Sequence, residues 1–196
     1  FPFNPCGGDY LMFLGHLIPK KGALEAIKIA RWADMRLIMA GHGGDYYRQH
    51  VAPYIDGDQI KYVGMVSVEE RNQLLANAAA LLFPSVHKEP FGLVMVEAMA
   101  CGTPVLALDR CAVPEVVEPG VTGYYSPDSE TLAAFVPKVM QLDRCMVRET
   151  VALRFDHRRM AANYEALYRE VIHHRDTEAL LIILFFSVPL CLCGFL

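Results

Sequence analysis

The sequence predicts an α/β fold, a parallel sheet of about six strands with helices on both faces. Three observations carry that expectation. Short apolar runs of four to six residues alternate with amphipathic stretches through most of the chain. These runs are apolar at nearly every position, as in strands buried on both faces, rather than at alternate positions. The first four end in Gly or Pro, residues that turn the chain where a strand stops.

The elements follow in order. Residues 10–15, Tyr-Leu-Met-Phe-Leu-Gly, read as the first strand, and Leu24, Ile27 and Ala30 then recur at helical spacing up to Trp32. Residues 36–41 repeat the strand-then-Gly pattern, followed by a helical stretch to about Tyr54, and residues 60–64 make the third strand. Ser67-Val-Glu-Glu70 is a capping box in which the Ser hydroxyl and Glu70 satisfy each other's exposed amides, opening a helix to about Asn77. Residues 80–84 read as the fourth strand, 91–100 as a helix, 104–107 as the fifth strand and 123–125 as a short sixth. After Asp128 the pattern is mainly helical, over 131–141, 144–154 and 157–173. In such sheets ligands bind at the carboxyl ends of the strands.

Composition narrows the function. At 196 residues the chain suits one large domain or two small ones. Eighteen Lys and Arg against 22 Asp and Glu leave a net charge of −4 with no basic run, which argues against a nucleic-acid partner held through its phosphates. Charged residues at 20% and hydrophobic ones at 54% exclude a disordered chain. The mean hydropathy of +0.24 comes almost wholly from the uncharged stretch 179–196. The six cysteines have no CxxC pair and no zinc-binding spacing, and the first residues show no secretory pattern. Reduced thiols in a cytoplasmic protein are the expectation. The opening Phe1-Pro-Phe-Asn-Pro5 reads as a linker, so a fragment of a longer protein is expected.

Chemistry concentrates in residues 89–105, Glu-Pro-Phe-Gly-Leu-Val-Met-Val-Glu-Ala-Met-Ala-Cys-Gly-Thr-Pro-Val. A helix starting near Phe91 would leave the amides of Phe91, Gly92 and Leu93 facing an anion at its positive end. Gly92 removes a side chain where a phosphate or sugar would approach. Glu97, inside that helix, is able to accept hydrogen bonds from neutral hydroxyls. Taken singly, Glu89 also reads as a helix-start charge, Glu97 as a surface carboxylate and Lys21 as a solvated lysine beside Lys20.

Together these residues closely resemble the Glu-x7-Glu motif of family-four retaining glycosyltransferases. In the same order, residues 13–22, Phe-Leu-Gly-His-Leu-Ile-Pro-Lys-Lys-Gly, resemble that family's first-strand loop, Gly-Arg-x4-Lys-Gly. The turns at Gly41 and Gly64 and the loop 115–123 resemble those that follow. The likeness runs from about residue 1 to about residue 172 and covers only the C-terminal, donor-binding domain of a two-domain GT-B architecture. It implies a Rossmann-like domain at 1–178, with the acceptor-binding N-terminal domain absent. It implies catalytic roles for Glu89, facing the transferred sugar, and Lys21, holding the donor diphosphate. It further implies that Gly15 keeps the first loop close to the diphosphate, that His16 lies beside that group, and that the amides of Phe91, Gly92 and Leu93 bind phosphate or sugar oxygens. Glu97 would hold the ribose hydroxyls. The implied ligand is a nucleotide-diphosphate sugar, with no cofactor and no metal; the sequence has no Asp-x-Asp motif to tie a metal to a diphosphate.

His16 departs from the pattern, since the family carries Arg there. Arg offers a permanent planar fork, whereas His is only partly protonated near neutral pH. His42 and His87 read either as ligand neighbours or as solvated loop residues. For the stretch 179–196 three readings stand side by side: a C-terminal membrane anchor, a buried or interface helix, or non-native sequence. Its length is near the lower limit of about 17–25 residues for a spanning helix, and Pro189 and Gly194 weaken helix there.

Overall fold

The computed structural model describes residues 1–87 and 89–173. Six strands, Tyr10–Leu14 (β1), Arg36–Ala40 (β2), Ile60–Tyr62 (β3), Ala80–Phe83 (β4), Val105–Leu108 (β5) and Gly123–Ser126 (β6), form one sheet. All its pairings are parallel and its order is β3-β2-β1-β4-β5-β6. The helices are Ala23–Trp32 (α1), Val68–Ala76 (α2), Leu93–Ala100 (α3), Val113–Val116 (α4), Ser129–Val139 (α5), Arg144–Phe155 (α6) and His157–His173 (α7).

The apolar runs become the inner strands for the expected reason. Leu11, Met12, Leu81, Leu82, Val105 and Leu106 are all but fully buried, so both faces of the sheet are covered. On one face Leu11, Phe13, Leu37, Met39 and Leu82 pack with Ala26 and Ile27 of α1 and Leu132 and Val136 of α5. Met12 and Leu81 alternate to the other face, where α3 buries Met95 and Met99. Successive strands spread outward from β1 in one direction and from β4 in the other. The order therefore reverses between β1 and β4, and a crevice opens beyond their carboxyl ends.

Local departures from the expected elements have physical causes. The stretch after Gly41 is helical but wound as a π turn at Tyr47–Val51 and a 3-10 turn at Ala52–Tyr54, where Pro53 removes an amide that an α-helix would use. α3 begins at Leu93, not Phe91, because Gly92 adopts a left-handed conformation (φ 82°) that a continuing helix cannot hold. The capping box forms as read: Glu70 N–H donates to Ser67 Oγ at 3.2 Å and Ser67 N–H to Glu70 Oε2 at 2.9 Å.

The chain divides into two compact units, 1–152 and 153–196. The second is described through α7, whose Arg169 pairs with Glu165 one turn away. The stretch 179–196, and the end of the expected domain after residue 173, lie outside the described residues. Among the described residues no helix is long and apolar enough to cross a membrane. The four described cysteines, Cys6, Cys101, Cys111 and Cys145, are free thiols.

Candidate functional site

The site is assembled from the loops that leave β1 and β4. After β1 the chain turns at Gly15, whose amide donates to the Ala40 carbonyl at 3.0 Å, and the Leu17 amide donates to the His42 carbonyl at the same distance. Leu17 is buried, which turns the intervening His16 outward into solvent, its ring edge-on to that of His42 with centroids 5.8 Å apart. A Cβ on Gly15 would meet nothing within 4 Å, so the space before this turn is open.

The loop then makes a single 3-10 turn, Pro19–Lys21, closed by Gly22 in the left-handed region (φ 74°). A Cβ at Gly22 would stand 1.9 Å from the Pro84 carbonyl oxygen, so both the dihedral and the close passage of the β4 loop require glycine. The two loops are bolted together at Lys20, whose carbonyl accepts from the Val86 amide at 3.0 Å and the Ser85 hydroxyl at 3.2 Å. Ser85 is buried and helps fix the site, yet the sequence reading passed over it. The available cue was a hydroxyl residue directly after a wholly apolar strand.

From this frame Lys21 reaches across, and its Nζ donates to Glu89 Oε1 in a half-buried ion pair. Lys21 also lines a cavity of about 40 Å³, with Leu14, Gly15, Pro84, Ser85 and Val94. That is room for a few water molecules, so a larger ligand would lie over it along the open rim.

The start of α3 faces the same region. Gly92 is the residue before its first turn and no side chain caps that end, while Met95 N–H turns back to the Gly92 carbonyl at 2.9 Å. The Leu93 and Val94 amides have no acceptor within the helix, and the helix dipole makes this end positive. Phe91 precedes the helix by two residues rather than opening it. A Cβ on Gly92 would come within 2.8 Å of Met95 Cε and 2.9 Å of Phe83 Cζ, so glycine keeps this turn close to the end of β4.

Glu97 lies one turn beyond Leu93 and Val94 on α3, the spacing that puts residues on a common face. Its Oε1 is 3.2 Å from the Arg71 guanidinium of α2, a contact the sequence reading did not foresee. Tyr62 donates its hydroxyl to the Gly41 carbonyl at 2.8 Å, and burial pushes that phenol's pKa up. Gly15, Lys21, Glu89, Gly92 and Leu93 thus converge at the β1/β4 switch point, with His16 on its β2 side and Glu97 farther along α3. Among the described residues no group of three His, Cys, Asp or Glu is placed to hold a metal ion.

Comparison with known proteins gives a consistent result. Residues 4–150 match the sequence profile of the family described as glycosyl transferases group 1. The N-acetyl-alpha-D-glucosaminyl L-malate synthase of Bacillus anthracis is 32% identical over 155 residues, 74% of this chain and 40% of that protein. AviGT4, a glycosyltransferase involved in avilamycin A biosynthesis, matches in structure with a TM-score of 0.74 and 26% identity, over 87% of this chain and 53% of that one. Alr3699/HepE of Anabaena, solved in complex with UDP-glucose, gives 0.68 at 24% identity over 81% of this chain and 49% of that one, a likeness of fold. The chain spans about half the length, or less, of these relatives.

Proposed function

The chain belongs to the glycosyl transferases group 1 family, and from that premise we propose that it supplies the donor site of a retaining glycosyltransferase of the hexosyl type. The substrate in this reading is a nucleotide-diphosphate sugar, and the acceptor completes the reaction from outside this domain. The carrying observation is the convergence of Lys21, the open turn at Gly15 and the uncapped start of α3 on one end of the sheet.

These groups suit a leaving diphosphate. Breaking the bond between the sugar's anomeric carbon and the diphosphate puts negative charge on the departing oxygen. A cation and oriented amides set in advance stabilise charge that develops there. Lys21 carries three donor hydrogens, so it can keep Glu89 and still serve a phosphate oxygen. Glu89, held beside that cation, faces the position of the transferred sugar. Glu97 accepts from the ribose hydroxyls. The acceptor hydroxyl then adds to the face the diphosphate leaves and passes its proton to the departing phosphate oxygen, which preserves the anomeric configuration.

His16 favours a second reading, in which the chain binds nucleotide sugars without transferring them. An imidazole lacks the bidentate planar fork of the guanidinium in the family pattern and is a weaker diphosphate clamp. The test is a thermal-shift screen of the purified chain with UDP, GDP, ADP and their sugars. At a hundredfold excess over Kd, a ligand that binds only the folded state adds about 2.7 kcal/mol, a clear rise in Tm. At least one nucleotide is expected to produce it, and the chain by itself is expected to transfer no sugar. No shift with any of the panel overturns the donor-site reading, and transfer by the isolated chain overturns the second.

A further inference from the structure

We infer that Arg71 is a positioning residue for nucleotide recognition, holding one oxygen of Glu97 so that the other is presented to the ribose hydroxyls. The inference rests on the donor-site reading above and adds to it a residue from a different helix.

Arg71 is the fourth residue of α2, whose start is fixed by the Ser67–Glu70 capping box. Its Nη1 is 3.2 Å from Glu97 Oε1, and both side chains are about three-quarters covered (28% and 24% exposed). Its Nη2 has only a long, 3.5 Å approach to the Asn72 side-chain oxygen. Its Nε is buried with no hydrogen-bond partner among the described residues. A guanidinium serving only to join two helices would be expected to use its planar fork in a bidentate grip. Here a single nitrogen engages a single carboxylate oxygen, at a length typical of an ordinary contact.

That arrangement has a consequence for Glu97. A free glutamate on an exposed helix face samples several rotamers, and choosing one for a ligand costs side-chain entropy. Tethering Oε1 to α2 removes much of that freedom before any ligand arrives. Oε2 then remains to accept from a vicinal diol. Preorganisation of this kind acts on binding rather than on the fold.

The experiment measures binding by titration calorimetry on the full chain. The probe is whichever of UDP, GDP and ADP binds the wild type most tightly, with its 2′,3′-dideoxy analogue as the comparison. Arg71→Met is expected to weaken the natural nucleotide about five- to tenfold, the scale of re-ordering one long side chain, and the dideoxy analogue less than twofold. Arg71→Lys, which keeps a cation on the same helix, is expected to recover part of the loss. It also serves if Arg71→Met does not fold. Equal losses for the two ligands would make Arg71 a helix-packing residue and overturn the inference, as would wild-type affinity in Arg71→Met. A wild type that binds none of the three nucleotides overturns the donor-site reading itself, and the role of Arg71 with it.

Discussion

Two cations sit at opposite edges of the same sheet, and they are bound in opposite ways. Arg144, the first residue of α6, is 7% exposed and lies at the amino ends of β1, β4 and β5. Its guanidinium donates to the carbonyls of Asn4 (2.7 Å), Ala78 (2.9 Å) and Ala76 (2.8 Å) and to Thr103 Oγ1 (2.7 Å). None of these acceptors is a carboxylate, and burial pulls the arginine's pKa below its usual value. Lys21 stands at the carboxyl end, a third exposed, paired with the single carboxylate of Glu89 and lining a small cavity. A cation whose donors are taken up by backbone carbonyls clamps the chain where three strands begin. A cation with one partner and an open side is available to a ligand.

The sharpest way to break this contrast is at the clamp. Arg144→Met leaves the Ala76 and Ala78 carbonyls buried without a donor, at about 1–3 kcal/mol each, so a loss of about 3 kcal/mol or more of stability is expected. Urea unfolding measures it, and a loss below about 1 kcal/mol would mean that solvent reaches those carbonyls. At the other edge, Glu97→Ala should weaken binding of a nucleoside diphosphate by about 1.5–3 kcal/mol, the range for hydrogen bonds to a charged group. The 2′,3′-dideoxy analogue should bind mutant and wild type alike, and an equal loss for both ligands would make Glu97 structural.

Lys21→Met sharpens the comparison from the stability side. Its ion pair is partly solvated, so removal should change unfolding free energy by no more than about 1 kcal/mol while abolishing the Tm rise that a nucleotide produces. A large loss of stability with binding retained would invert the roles assigned to the two edges.

The smallest effect expected is at His16. If its outward ring meets the diphosphate, His16→Arg, which brings a planar bidentate fork to the same loop, should bind a nucleoside diphosphate more tightly than the wild type. Calorimetry on the two proteins reads the difference. Equal or weaker binding by His16→Arg would leave Lys21 and the α3 amides as the anion's holders.

Local periodicity was enough to lay out the sheet. Mostly apolar runs marked the six strands, and Ser67 and Glu70 marked the start of α2. Each is a property of a few adjacent residues, so adjacent residues reveal it. The candidate site residues were legible for a different reason, since Lys21, Glu89 and Glu97 fall in motifs that resemble a known family's. What the sequence could not express was who meets whom. Lys21 finds Glu89 across 68 positions, and Arg144 finds Asn4 across 140. Nothing in the spacing of Arg71 and Glu97 announced their contact, because it depends on two helices packing on one face of the sheet. Parallel strands must be joined by crossovers, so neighbours in the sheet are distant in the chain. The tertiary structure alone therefore decided that one edge would close on Arg144 and the other stay open around Lys21.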